Sequence, residues 1–138
     1  MPVVDASIVV DWVAPGVDQD GPAARLLGHL SGEGDPVLGP RLLAEEVADA
    51  LVTGVRRRRW TGAQADTAFT LLRQLPMQFV DQPRDLDRAW DLSRRYDEHP
   101  IYDLVYVAVA ERLGIDLVTA DQALHGRVST LGFVVLLT

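Results

Sequence analysis

Short apolar segments punctuate the chain at Val3-Val4, Val37-Leu38, Met77–Val80, Leu117–Ala120 and Phe133–Leu137, each bounded by turn or acidic residues. Runs this short and nearly continuous suit strands buried on both faces of a parallel sheet. Between them, apolar residues recur at helical spacing. Ala23, Leu26, Leu27 and Leu30 fall at i, i+3, i+4 and i+7, with Gly32 just beyond as a C-cap. Leu43, Val47, Ala50 and Leu51 form a second stripe in a segment from about Pro40 to Arg59. Thr61 and Gln64 have capping-box spacing and open a helix carrying Ala65, Ala68, Phe69 and Leu72. Another stripe is Leu86, Ala89, Trp90 and Ser93, and the segment from about Ile101 to Leu113 is apolar on most sides, which predicts deep burial. Strands alternating with helices predict an α/β domain, a parallel sheet of about five short strands with helices on both faces. No repeat or long linker divides residues 1–138, so they read as one domain.

Composition changes this picture mainly through what is missing. The 138 residues include no cysteine, which removes disulfides, thiolate metal sites and cysteine nucleophiles. All 13 basic residues are arginine. Without lysine there is no Walker-type phosphate loop, no Schiff-base chemistry and no Ser–Lys dyad. A receiver-type phosphoacceptor domain, which needs a lysine beside its acids, is excluded on the same ground. No apolar run reaches the ~18 residues that span a bilayer. The opening MPVVDASIVVDW carries an acid within its first apolar run and no basic leader, so a cytoplasmic protein is expected. The net charge of −7 argues against broad electrostatic attachment to nucleic acid. His29, His99 and His125 show no convergent pair of the kind a histidine ribonuclease uses, and surface placement is expected for each.

Twenty acids cannot all be functional, so position must choose among them. Asp5 and Asp121 each follow an apolar strand, at the sheet edge where open parallel sheets bind ligands. Taken singly, each is also accounted for by capping the helix that follows. Helix phase separates the adjacent Glu45 and Glu46: Glu46 flanks the apolar stripe and Glu45 faces solvent. Asp49, one turn beyond Glu46, borders the same face and reads equally as a surface acid. Asp103 has Tyr106, Val107 and Ala110 at i+3, i+4 and i+7. A helix dipole favours an acid in a first turn, but a carboxylate on an apolar stripe needs a partner or a cation. Four carboxylates converging on the sheet edge would suit hard cations such as Mg²⁺ or Mn²⁺.

VVDASIVVDW at 3–12, PRLLAEEVADAL at 40–51, IYDLVYVAVAERLG at 101–114 and LVTADQAL at 117–124 resemble the four acidic motifs of PIN-domain ribonucleases. More narrowly, they resemble the virulence-associated protein C (VapC) toxins. The resemblance implies a three-layer α/β/α domain with Asp5, Glu46, Asp103 and Asp121 as catalytic and metal-binding acids. It matches Ser7 and Thr119 to supporting hydroxyl residues. Many relatives have asparagine where Asp49 stands, and often serine where His99-Pro100 precedes the third motif. It further implies a metal-dependent endoribonuclease toxin using Mg²⁺ or Mn²⁺, restrained by a VapB-type antitoxin and usually homodimeric. Arg56, Arg57, Arg58 and Arg59 are candidate RNA contacts, or a solvated cationic helix end. A catalytically inert PIN module that only binds protein would have lost one of the four acids, and all four are present.

Overall fold

The computed structural model describes residues 1–138. Strands β1 (Val3–Val4), β2 (Val37–Gly39), β3 (Met77–Phe79), β4 (Leu117–Thr119) and β5 (Val134–Leu136) form one parallel sheet in the order β3-β2-β1-β4-β5. The helices are α1 (Ala6–Val13), α2 (Pro22–Gly32), α3 (Leu42–Arg56), α4 (Gly62–Gln74), α5 (Pro83–Arg95), α6 (Ile101–Leu113) and α7 (Gln122–Val128). Helices α1 to α4 pack among themselves and α5 pairs with α6, giving a three-layer α/β/α arrangement. The chain builds outward from β1 to β3, then crosses to the other side of β1 to lay down β4 and β5. The topological switch therefore lies between β1 and β4, where open sheets of this kind leave a crevice beyond the strand ends.

Central position explains why β1 needs only two residues. Val3 and Val4 are fully buried and pair with Leu38 of β2 and with Leu117 and Val118 of β4. The largest share of the core comes from α6, whose residues Leu104 through Ala110 are all buried and which ends at Gly114 in the left-handed region (φ 69°). Both halves of the capping box form at α4: Gln64 N–H donates to Thr61 Oγ1 at 3.1 Å and Thr61 N–H to Gln64 Oε1 at 2.9 Å. No helix is long and apolar enough to cross a membrane.

The structure corrects several boundaries and faces. Gly32 is the last residue of α2, and the left-handed turn after it falls on Gly34 (φ 70°). α3 is shorter than the segment from Pro40 to Arg59, because Arg58 turns left-handed (φ 58°). There Arg59 N–H reaches Gly54 O and Arg58 N–H reaches Val55 O, which closes the helix end. Trp60 lies over this end: a methyl at Gly54 would stand 2.0 Å from its ring, and its indole N–H donates to Leu51 O at 2.9 Å. Phe69 is exposed, and so are Leu86 and Trp90 at 57% and 59%, contrary to the stripes read from sequence. The buried face of α5 is Asp85, Ala89, Leu92 and Ser93. Its phase is set by Asp85, which turns inward to meet Arg112 of α6 and so carries Leu86 outward.

Candidate active site

Asp5 stands at the switch point. Its backbone N–H donates to Val118 O at 3.0 Å, which fixes the end of β1 against β4. Its Oδ1 accepts from Ala6 N–H at 2.8 Å and caps α1, while Oδ2 accepts from Ser7 Oγ at 2.9 Å and Thr119 Oγ1 at 2.7 Å. Thr119 is fully buried, and its hydroxyl also accepts from Asp121 N–H at 3.0 Å. Asp121 caps α7 through Oδ1, which accepts from Ala123 and Leu124 N–H. Capping and placement at the site are thus the same geometry for both aspartates: one oxygen anchors the helix and the strand end aims the group.

The other two acids arrive on helices. Glu46 lies in the second turn of α3, half-buried, and accepts from the Tyr106 hydroxyl of α6 at 2.7 Å through Oε1. Glu45 is exposed, as helix phase requires. Asp103, in the first turn of α6, has His99 Nε2 at 2.7 Å from its Oδ2. Glu46 Oε2, Asp103 Oδ1 and Asp121 Oδ2 receive no hydrogen bond from the protein.

Burial pushes the Asp5 carboxyl above its ordinary value; Thr119 and Ser7 pull it back and the charge of Asp103 adds to the rise. Burial likewise raises Glu46, opposed by the Tyr106 hydroxyl and reinforced by Asp5 and Asp103. Asp103 is raised by burial, lowered in part by His99 and raised again by Asp121. Tyr106 is held far above the ordinary phenol value by burial and by the neighbouring charge of Glu46. Each acid sits in the field of others, and none has an arginine partner.

Elsewhere the chain treats semi-buried acids differently. Burial raises the Asp85 carboxyl, but its bonds from Nε and Nη2 of Arg112, the Gln82 N–H and the nearby guanidinium charge together hold it below the usual range. Glu111 is likewise lowered by its hydrogen bonds to Arg88. A cluster of hard oxygen donors with uncompensated negative charge and free lone pairs fits Mg²⁺ or Mn²⁺. As placed, no three of these side chains stand close enough to share an ion, so binding requires the carboxylates to turn inward.

The remaining residues singled out from sequence divide. Ser7 bridges the two strand ends, donating to Asp5 and accepting from Ala120 N–H at 3.1 Å. Asp49 is exposed and makes no hydrogen bond or ion pair, so the structure does not draw it into the site. Arg56, Arg57, Arg58 and Arg59 are exposed and none pairs with an acid. Arg59 lines a cleft of about 530 Å³ that reaches Ala120, the neighbour of Asp121. His29 is exposed and His125 half-buried, but His99 is buried at 7% exposure, which overturns its expected surface placement. The contacts of His99 and Tyr106 went unread in the sequence, where the only signal was their spacing at i−4 and i+3 from Asp103.

Thr119 ties Asp5 to Asp121, so Thr119→Val is informative. It keeps shape but orphans the Asp121 N–H and strips a donor from a buried carboxylate. A loss of about 1–3 kcal/mol is expected in urea unfolding, and an unchanged midpoint would count against this link.

The PIN domain family model matches residues 3–129 of this chain. Ribonuclease VapC3 of Mycobacterium tuberculosis (strain ATCC 25618 / H37Rv) is 34% identical over 122 residues, covering 88% of this chain and 83% of that protein. Ribonuclease VapC1 of the same strain is 33% identical over 123 residues, covering 88% of this chain and 86% of that protein.

Proposed function

This chain belongs to the PIN-domain family, and on that premise we propose that it is a metal-dependent endoribonuclease, the toxin of a toxin–antitoxin pair. The carrying observation is the contrast among its acids: Asp85 and Glu111 are neutralised by arginine, whereas Asp5, Glu46 and Asp103 crowd the switch point with no arginine at all. With Asp121 they would hold Mg²⁺ or Mn²⁺. When bound, the ion supplies Lewis-acid activation of water and stabilises charge developing on the phosphoryl oxygens. The chain's own groups set the donors: Ser7 and Thr119 fix one oxygen of Asp5, and Tyr106 fixes one oxygen of Glu46. Arg56 to Arg59 offer unpaired cations for RNA phosphates, with Arg59 lining the cleft beside the site.

Incubated with RNA and Mg²⁺ or Mn²⁺, the purified chain is expected to cleave internally and leave 5′-phosphate and 3′-hydroxyl ends. Cleavage that persists in EDTA, or that leaves 2′,3′-cyclic phosphates, would refute the mechanism. We further propose that it is a cytoplasmic, homodimeric toxin held by a VapB-type antitoxin, as the resemblance of its four acidic motifs to those of VapC toxins implies. Expression alone should then arrest bacterial growth, and co-expression of the antitoxin should restore it.

A further inference from the structure

We propose that His99 is a positioning residue for Asp103, presenting one carboxylate oxygen to the divalent ion and thereby setting the affinity of the site for it. The inference rests on the metal-dependent reading above. A carboxylate can only accept, so the contact at 2.7 Å places a proton on His99 Nε2 and occupies Oδ2 of Asp103. Oδ1 is left free to turn toward the other acids. His99 is the one nitrogen base among the hydrogen-bond partners of the four carboxylates; the others are hydroxyls and backbone N–H groups.

The loop before α6 is shaped to deliver it. Asp97 and Glu98 both adopt left-handed backbone (φ 57° and 53°), and a non-glycine residue there is disfavoured by sterics, for glutamate especially. Two such residues in succession persist only where the surroundings over-determine them. Ser93 supplies that constraint twice: its carbonyl accepts from Glu98 N–H at 2.8 Å, and its hydroxyl donates to His99 O at 2.6 Å. The turn swings the imidazole inward, and Pro100 then starts α6 one turn before Asp103. A buried imidazole on a strained turn, aimed at one oxygen of a site acid, has no other partner in the fold to explain it.

The test compares His99→Phe, which keeps a ring and loses the donor, with His99→Gln, which keeps an N–H at similar reach. Mn²⁺ binding to the folded proteins is read from the electron paramagnetic resonance of the free ion, apart from any cleavage. His99→Phe is expected to weaken Mn²⁺ binding about 10–100-fold, the usual effect of removing a partner that orients a ligand, with His99→Gln recovering most of it. In cleavage assays the deficit should appear in the metal concentration for half-maximal rate rather than in turnover at saturation. Parent-like Mn²⁺ affinity in His99→Phe overturns the positioning role and leaves the metal site standing; no Mn²⁺ binding by the parent overturns both. Should His99→Phe not fold, the parent decides. Its His99 Nε2 proton resonance should shift over the range of Mg²⁺ that raises the melting temperature, and an unmoved resonance overturns the role.

Discussion

Glu46→Gln should abolish RNA cleavage while Glu45→Gln cleaves like the parent, although the two residues are neighbours. Glu46 is half-buried on α3 with the Tyr106 hydroxyl of α6 on one oxygen, and Glu45, about 100° round the helix and away from the apolar stripe, is exposed. Glutamine keeps the volume and still accepts from Tyr106, but lacks the charge that attracts a hard cation. Losing a direct ligand should exceed the roughly 10–100-fold typical of an orienting partner, so a fall of at least about 100-fold in initial rate is expected. Stability should move the other way. Burial and the charges of Asp5 and Asp103 raise the folded-state pKa of Glu46 above its ordinary 4.5. A raised acid binds more protons folded than unfolded, so it costs nothing below pH 4.5 and destabilises increasingly as pH rises through the folded value. In EDTA, Glu46→Gln should therefore melt higher than the parent, by a margin that widens with pH and then levels off. Circular dichroism melts between about pH 4 and 8 read this. A dead Glu45→Gln beside an active Glu46→Gln would put both the helix phase and the site assignment out by one residue.

What was legible in the sequence is what local periodicity and chain order determine. The short apolar runs marked the strands, and burial on both faces holds for the inner β1, β2 and β4. The edge strands β3 and β5 expose Gln78, Phe79 and Val135, because each has a neighbour on one side only. The Thr61–Gln64 box showed because it involves only residues three apart. The stripe on α5 misled because an apolar pattern cannot foresee a buried ion pair. Asp85 and Arg112 are 27 residues apart, and with Asp85 turned inward to meet Arg112 the same helix phase leaves Leu86 and Trp90 exposed.

The same division runs through the site. Asp5 and Asp121 stood out by following strands, and β1 and β4 prove to be the two strands at the switch. Glu46 was accessible through helix phase. His99 was not, because its direction depends on two successive left-handed residues, and although aspartate tolerates that conformation singly, nothing local favours it at Glu98 as well. Tyr106 passed for an apolar neighbour of Asp103, since only the tertiary approach of α3 to α6 gives its hydroxyl a target 60 residues away.

The buried pair that set the phase of α5 is also where the fold is most vulnerable away from the site. Asp85 receives Nε of Arg112 at 2.8 Å and Nη2 at 2.9 Å, and its Oδ2 accepts from Gln82 N–H at 2.7 Å to close the start of α5. Asp85→Ala removes all three bonds and leaves a guanidinium that is only 17% exposed, with Val80 O as its remaining partner. Breaking a buried pair from one side costs about 3–5 kcal/mol, which for a chain this size lowers the melting temperature by about 10–20 °C. Replacing Arg112 by Met in the Asp85→Ala background should recover part of that loss, because much of it is the stranded cation. The pH dependence is opposite in sign to that of Glu46. Arg112 holds the folded-state pKa of Asp85 below its ordinary 3.8, so the pair's contribution is complete above that pH and is lost as pH falls through the folded value. The gap between parent and Asp85→Ala should be constant near neutrality and close in acid. A gap that instead widened below pH 3.8 would mean the pair is not what stabilises this helix junction.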